Sequence, residues 1–179
     1  IAVDLILERF SRHYLAMNRD PNSLAWIRCL LARFFSFAEA AGVKDLSEID
    51  DRLLLKYQMT LSEMKTKRGQ TYAVTTQNMH LTALRGLFRF LRRAGDIESD
   101  PSLDIELARL PQRLPAGILG VAEVFKVIEQ PDLSQATGIR DRAVLEVLYS
   151  SGIRRSELIN LDLDDLNFEL ETLFIRQGR

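Results

Sequence analysis

Residues 137–161 read Thr137-Gly138-Ile139-Arg140-Asp141-Arg142-Ala143-Val144-Leu145-Glu146-Val147-Leu148-Tyr149-Ser150-Ser151-Gly152-Ile153-Arg154-Arg155-Ser156-Glu157-Leu158-Ile159-Asn160-Leu161. The spacing predicts a helix from Ile139 to Ser150, a break at Gly152, and a short helix from about Arg155 to Leu161. Glycine at the break lets the backbone turn sharply. Arg154 then projects from that turn with Glu157 three residues on, within reach once the next helix has begun. A guanidinium fork held by a carboxylate is pre-aimed for a phosphate. The same spacing also suits an ordinary Arg–Glu helix pair.

Upstream, apolar spacing is helical almost throughout. A first helix is predicted over Val3 to Met17. The turn Asp20-Pro21-Asn22-Ser23 opens a second that runs to Ala41, with Trp26, Leu30, Phe34 and Phe37 on one stripe. Ser47 to Met64 reads as a third helix, opened by Ser47-Glu48-Ile49-Asp50 as a capping box. A fourth runs from Ala73 to Arg93 on a Leu81/Leu84/Phe88/Leu91 stripe and closes at Gly95. Asp100-Pro101 prevents simple continuation. Pro101, Pro111 and Pro115, with Gly117 and Gly120, mark a linker. Val121 to Glu129 is a further helix, and Leu166 to Arg176 alternates loosely as the start of a β-hairpin. The predicted fold class is mainly α: a helical domain over 1–110, a linker over 111–120, and the opening of a mixed α/β domain over 121–179.

Charge is almost balanced overall, at a formal net −1. Its distribution is not. Lys56 to Arg93 holds eight basic residues and one acid, Glu63. On the fourth helix Asn78, Thr82, Arg85, Arg89 and Arg92 share one face, opposite the apolar stripe. Such a face suits a major groove, where Arg reads guanine or phosphate and Asn reads adenine. It also suits a solvated surface. Lys65, Lys67 and Arg68 form a basic loop before it, and Asn22, Ser23, Arg28 and Arg33 are weaker candidates on the second helix. A single cysteine, Cys29, rules out an intrachain disulfide and a cysteine-based metal site. His13 and His80 lack metal-ligand spacing. No long apolar run predicts a membrane span, and no signal peptide is visible. The first residue is Ile1, as expected of a chain trimmed at its start.

The 137–161 segment resembles the first arginine box of tyrosine recombinases, especially the Xer-type and phage-integrase branch. Ser156-Glu157-Leu158 and Leu161 to Asp165-Leu166 match the family's downstream pattern. Leu110 to Pro115 looks like its interdomain linker, and the four preceding helices look like its SAM-like core-binding domain. The resemblance implies that Arg154 is the first catalytic arginine, gripping the scissile phosphate, with Glu157 in support. It implies that Tyr149 is a buried structural aromatic, not a nucleophile. Arg179 falls at or next to the family's lysine position. The implied partner is a double-stranded DNA recombination site, bound by a tetramer in the complete protein, with the Val3–Met17 helix as a possible protomer contact or as core. No cofactor, metal, membrane or small-molecule substrate is expected, and the expected location is cytoplasmic and nucleoid-associated.

The family also uses a His-x-x-Arg box and a late tyrosine that forms a 3′-phosphotyrosine. No tyrosine follows Tyr149, so the chain alone is expected to be inactive. Two alternatives stand beside this reading: a non-catalytic DNA-binding regulator of recombination sites, and a helical protein-interaction module whose basic helix meets an acidic partner.

Overall fold

The structure is a computed structural model that describes residues 2–66, 68–110 and 117–176. The fold is mainly α, and the chain divides into two compact units, 1–112 and 113–179.

The first unit contains α1 (Val3–Ala16), α2 (Pro21–Ala40), α3 (Asp51–Glu63) and α4 (Val74–Ala94). At the start of α2, the Asp20 carboxylate accepts the Asn22 amide at 3.0 Å, with Pro21 in the first turn where its missing N–H costs nothing. The third helix begins later than the Ser47 capping box predicts. Asp45 caps a short 3-10 turn at Leu46–Glu48, Ile49 is buried, and Asp50 is the N-cap of α3, accepting the Leu53 amide at 2.8 Å. Two aspartates five residues apart therefore divide one predicted helix into a turn and a helix. Gly95, at φ +78°, ends α4, and the Asp96 amide returns to the Leu91 carbonyl at 3.0 Å.

Leu30, Leu31, Phe34, Leu54, Tyr57, Leu61, Leu84, Phe88 and Leu91 fill the core. The Phe34 ring meets Tyr57 and Phe88 edge-on, with centroids 5.1 and 6.0 Å away. Trp26 departs from its predicted stripe. It is 44% exposed, at the rim of an apolar hollow between α1, α2 and α4. After α4 the chain returns as an irregular strap over 103–110. An Asp100–Ser102 turn anchors it, with the Ser102 hydroxyl on Asp100 at 2.6 Å, and Ile105 is buried in the core.

The second unit contains α5 (Val121–Ile128), α6 (Ala136–Ser151), α7 (Arg155–Ile159) and a hairpin of β1 (Leu166–Asn167) and β2 (Thr172–Leu173), paired antiparallel as Leu166↔Leu173. Gly138 lies against the Asp132 backbone so closely that a Cβ there would collide with the carbonyl. The Tyr149 ring packs edge-on against Phe125, but the side chain is 49% exposed, contrary to the expected burial. Phe168, Leu170 and Phe174 of the hairpin region are also exposed. Residues 111–116 of the predicted linker lie outside the described residues.

Candidate nucleic-acid interface

The basic loop between α3 and α4 is a tight hairpin. Lys65 bridges Thr71, the Thr66 amide meets the Gln70 carbonyl at 2.7 Å, and the Gly69 amide meets the Thr66 carbonyl at 2.9 Å. This turn presents Lys65 and Arg68 to solvent. Lys67, also predicted to contact DNA, lies outside the described residues.

The predicted front of α4 divides in two. At its C-terminal end Arg89 and Arg92 are exposed and, with Arg93, line a concavity of about 390 Å³ beside Asp100 and Leu103. Nearer its start the strap covers the face. Arg85 is half-buried and donates to the Ile105 carbonyl. Both ends of the Asn78 carboxamide are engaged: Nδ2 donates to the Ala108 carbonyl at 2.8 Å, and Oδ1 accepts the Ala108 amide at 3.0 Å. Gln58 on α3 completes the clamp by donating to the Glu106 carbonyl at 2.9 Å. The spacing puts Asn78 on the face expected to meet DNA; in the structure its carboxamide holds backbone. The physical cause is that an irregular segment has no ladder of its own, so its carbonyls take side-chain donors. Thr82 is exposed and lines the apolar hollow, whose volume is about 480 Å³. Of the weaker candidates, Arg28 points to the Ser11 hydroxyl at 3.4 Å and Arg33 donates to the Tyr72 hydroxyl.

In the second unit Gly152 adopts φ +65° and ends α6, and Arg154 becomes the N-cap of α7 in extended conformation. Glu157 closes on it twice. One carboxylate oxygen accepts the Arg154 amide at 2.8 Å, and the other accepts its guanidinium Nη1 at 2.8 Å. The Glu157 side chain is only 11% exposed, whereas that of Arg154 is 67% exposed. The bonds from the Arg154 amide and then its guanidinium hold the Glu157 carboxyl below the ordinary carboxylate range. A fixed anion thus orients a guanidinium that keeps most of its donors open to solvent.

Sequence reasoning missed a second braced arginine. Arg176 donates through Nε to Asp165 at 2.6 Å and through Nη1 to Asp162 at 3.1 Å. Asp165 is buried and also accepts the Asp162 amide at 2.9 Å, which, with Arg176, lowers its pKa. The available signal was the acidic run Asp162, Asp164 and Asp165 ahead of a lone arginine on a predicted hairpin. Arg179 lies outside the described residues. Among the described residues, no group of acids, histidines or cysteines is placed to hold a metal ion, and no helix is long and apolar enough to cross a membrane.

The sequence is similar to those of known proteins. The Phage integrase family model matches residues 119–179, a span that includes Arg154, Glu157 and Arg176. Tyrosine recombinase XerC 2 of Ralstonia nicotianae is 33% identical over 98% of this chain and 52% of its own length. Tyrosine recombinase XerC of Oceanobacillus iheyensis is 30% identical over 99% of this chain and 56% of its own. Tyrosine recombinase XerC of Pelotomaculum thermopropionicum reaches 39% identity over 73% of this chain. The chain therefore spans about half the length of the curated relatives it matches. The matched span and these relatives together support a tyrosine recombinase.

Proposed function

We propose that this chain grips a double-stranded DNA recombination site as part of a site-specific tyrosine recombinase, and that Arg154 holds the scissile phosphate. The observation that carries the reading is the Arg154–Glu157 pair, in which a nearly buried carboxylate aims an exposed guanidinium. Such a cation stabilises negative charge that builds on a phosphoryl group, and it needs no reorganisation to do so. Arginine keeps its charge at any working pH, so its part is to bind and neutralise, not to move a proton.

Lys65 and Arg68 on the hairpin, with Arg89, Arg92 and Arg93 on α4, supply the phosphate contacts that position the duplex. Strand cleavage and rejoining through a 3′-phosphotyrosine belong to the complete protein, acting as a tetramer on DNA. On this reading α1 has two roles. Ile6, Leu7 and Phe10 face the core, while exposed Leu5, Leu15 and Met17 suit a contact between protomers.

A salt titration of binding to labelled duplex tests the proposal. Each phosphate contact contributes about 0.9 to the log–log salt slope, so the five cations of the first unit and Arg154 together give a slope of roughly 5. Reversing Arg89 and Arg92 to Glu is expected to lower that slope by about 2 and to weaken binding steeply. Absence of duplex binding, or binding indifferent to salt, refutes the reading and favours the protein-interaction alternative.

A further inference from the structure

We infer that Tyr72 is a positioning residue that fixes the basic hairpin for its phosphate contacts without touching DNA itself. The inference rests on the DNA-binding reading above. Tyr72 sits where the hairpin hands over to α4, and four separate attachments hold it. Its amide donates to the Met64 carbonyl at 2.9 Å, closing the hairpin. Its carbonyl accepts from Gln77 Nε2 at 2.9 Å, on the first turn of α4. Its ring stacks on buried His80, with centroids 6.0 Å apart and planes 24° apart. Its hydroxyl accepts from Arg33 of α2, whose guanidinium also lies 5.7 Å from the ring centroid. His80 is held in turn by the Tyr57 hydroxyl of α3, 2.9 Å from Nδ1. The Tyr72 side chain therefore ties the hairpin to α2 and α4 directly, and to α3 through His80.

Among the described residues the tip is held by its own backbone bonds, Thr66 to Gln70 and Gly69 to Thr66. Thr66, Arg68, Gly69 and Gln70 are exposed, and the turn carries its cations on a short two-stranded connection. An isolated hairpin of this size is marginal in water. Without the anchor, Lys65 and Arg68 are no longer held at the phosphates, so contacts are lost as well as the entropy of ordering the hairpin. Arg33 also has its guanidinium engaged with Tyr72, which assigns it to the brace and not to the duplex-facing set.

The test compares wild type with Tyr72→Ala and Tyr72→Phe in the full chain. Two measurements are read: the salt slope of duplex binding, and hydrogen exchange at the Thr66 and Gly69 amides without DNA. Tyr72→Ala is expected to bind about tenfold more weakly, with a slope lower by about 1 to 2, as one or two contacts at about 0.9 each are lost. Its two hairpin amides are expected to lose protection. Tyr72→Phe keeps the ring stack, loses the Arg33 bond, and is expected to fall between the two. A folded Tyr72→Ala that keeps the wild-type slope and affinity overturns the inference while leaving the DNA-binding reading in place. Wild type that shows no salt-dependent binding removes the parent reading, and the inference with it. If Tyr72→Ala does not fold, Tyr72→Phe decides, and an unchanged slope in that variant overturns the positioning role.

Discussion

The His80 cluster makes the stability of the first unit depend on pH, with a sign and a size that follow from its surroundings. His80 is 2% exposed, bonded to Tyr57 of α3, stacked on Tyr72, and close enough to Arg33 of α2 to sense its charge. Burial first, and then the Arg33 charge, push its pKa down from 6.5 to about 4. The same burial raises the Tyr57 hydroxyl above its ordinary value, so both partners remain neutral in the fold. The unfolded chain binds a proton at His80 below about pH 6.5, whereas the folded chain refuses it until about pH 4. Stability is thus fully present above the unfolded value and is lost as pH falls between the two. Going from pH 7 to pH 5 is expected to remove about 2 kcal/mol, at 1.36 kcal/mol per pKa unit. Most carboxylates still carry their charge at pH 5, which keeps the window clean. Trp26, the single tryptophan, reports urea unfolding of this unit by fluorescence. The midpoint is expected to drop by about 1 M, since urea slopes for small domains are about 1–3 kcal/mol per molar. His80→Gln keeps a partner for the Tyr57 hydroxyl and should flatten the profile. If wild type and His80→Gln lose equal stability across the window, the reasoning fails.

Three further outcomes are expected. Asp50→Ala removes the cap of α3 and should lower the stability of the first unit by about 1 kcal/mol in urea unfolding, whereas Ser47→Ala should change it little, because Ser47 is not the cap. Gly138→Ala should destabilise the second unit by about 1–3 kcal/mol in thermal unfolding, as the added methyl meets the Asp132 carbonyl; a neutral result would place the α6 start elsewhere. The Glu157 carboxyl should titrate by NMR below 4.5, and Arg154→Ala should return it toward that value while leaving the Asp165 titration where it was.

What the sequence made legible tracks how local each cause is. The helical stripes of α2 and α4 were readable because Leu30 and Phe34, and Leu81, Leu84, Phe88 and Leu91, repeat at the helical period and are buried. The Arg154–Glu157 brace is legible for the same reason: its partners are three residues apart, just after the glycine break at Gly152. Trp26 leaves its stripe because period alone cannot say where a neighbouring element stops, whereas the burial of Tyr149 is an implication of the resemblance and not of any spacing. Trp26 meets a hollow lined partly by Ala83 and Gly86, side chains too small to cover it. The Arg176–Asp165 brace spans 11 residues of an irregular turn and hairpin, and no periodic rule links them.

The strap shows why a helix face on a wheel is not yet a binding surface. Asn78, Arg85, Arg89 and Arg92 do share one side of α4, as the spacing predicts. Yet the backbone acceptors at Ile105, Glu106 and Ala108, 20 to 48 residues away from their donors, claim Arg85, Gln58 and Asn78. At buried Ile105 an unpaired carbonyl would cost more than a solvated arginine gains, so it holds Arg85, while Glu106 and Ala108 take their donors at the surface. On the DNA-binding reading this moves the duplex contacts to the two ends of α4. The hairpin cations stand before its first residue, and Arg89, Arg92 and Arg93 lie in its last turns. Twenty-one residues at 1.5 Å each separate those ends by roughly 30 Å, close to one turn of B-form DNA at about 34 Å. Two cation clusters at that spacing fit phosphates about one helical turn apart better than a row of bases within one groove. The contribution of α4 to site choice is then expected to lie in DNA shape and phosphate position, and a base-reading role for Asn78 is not required.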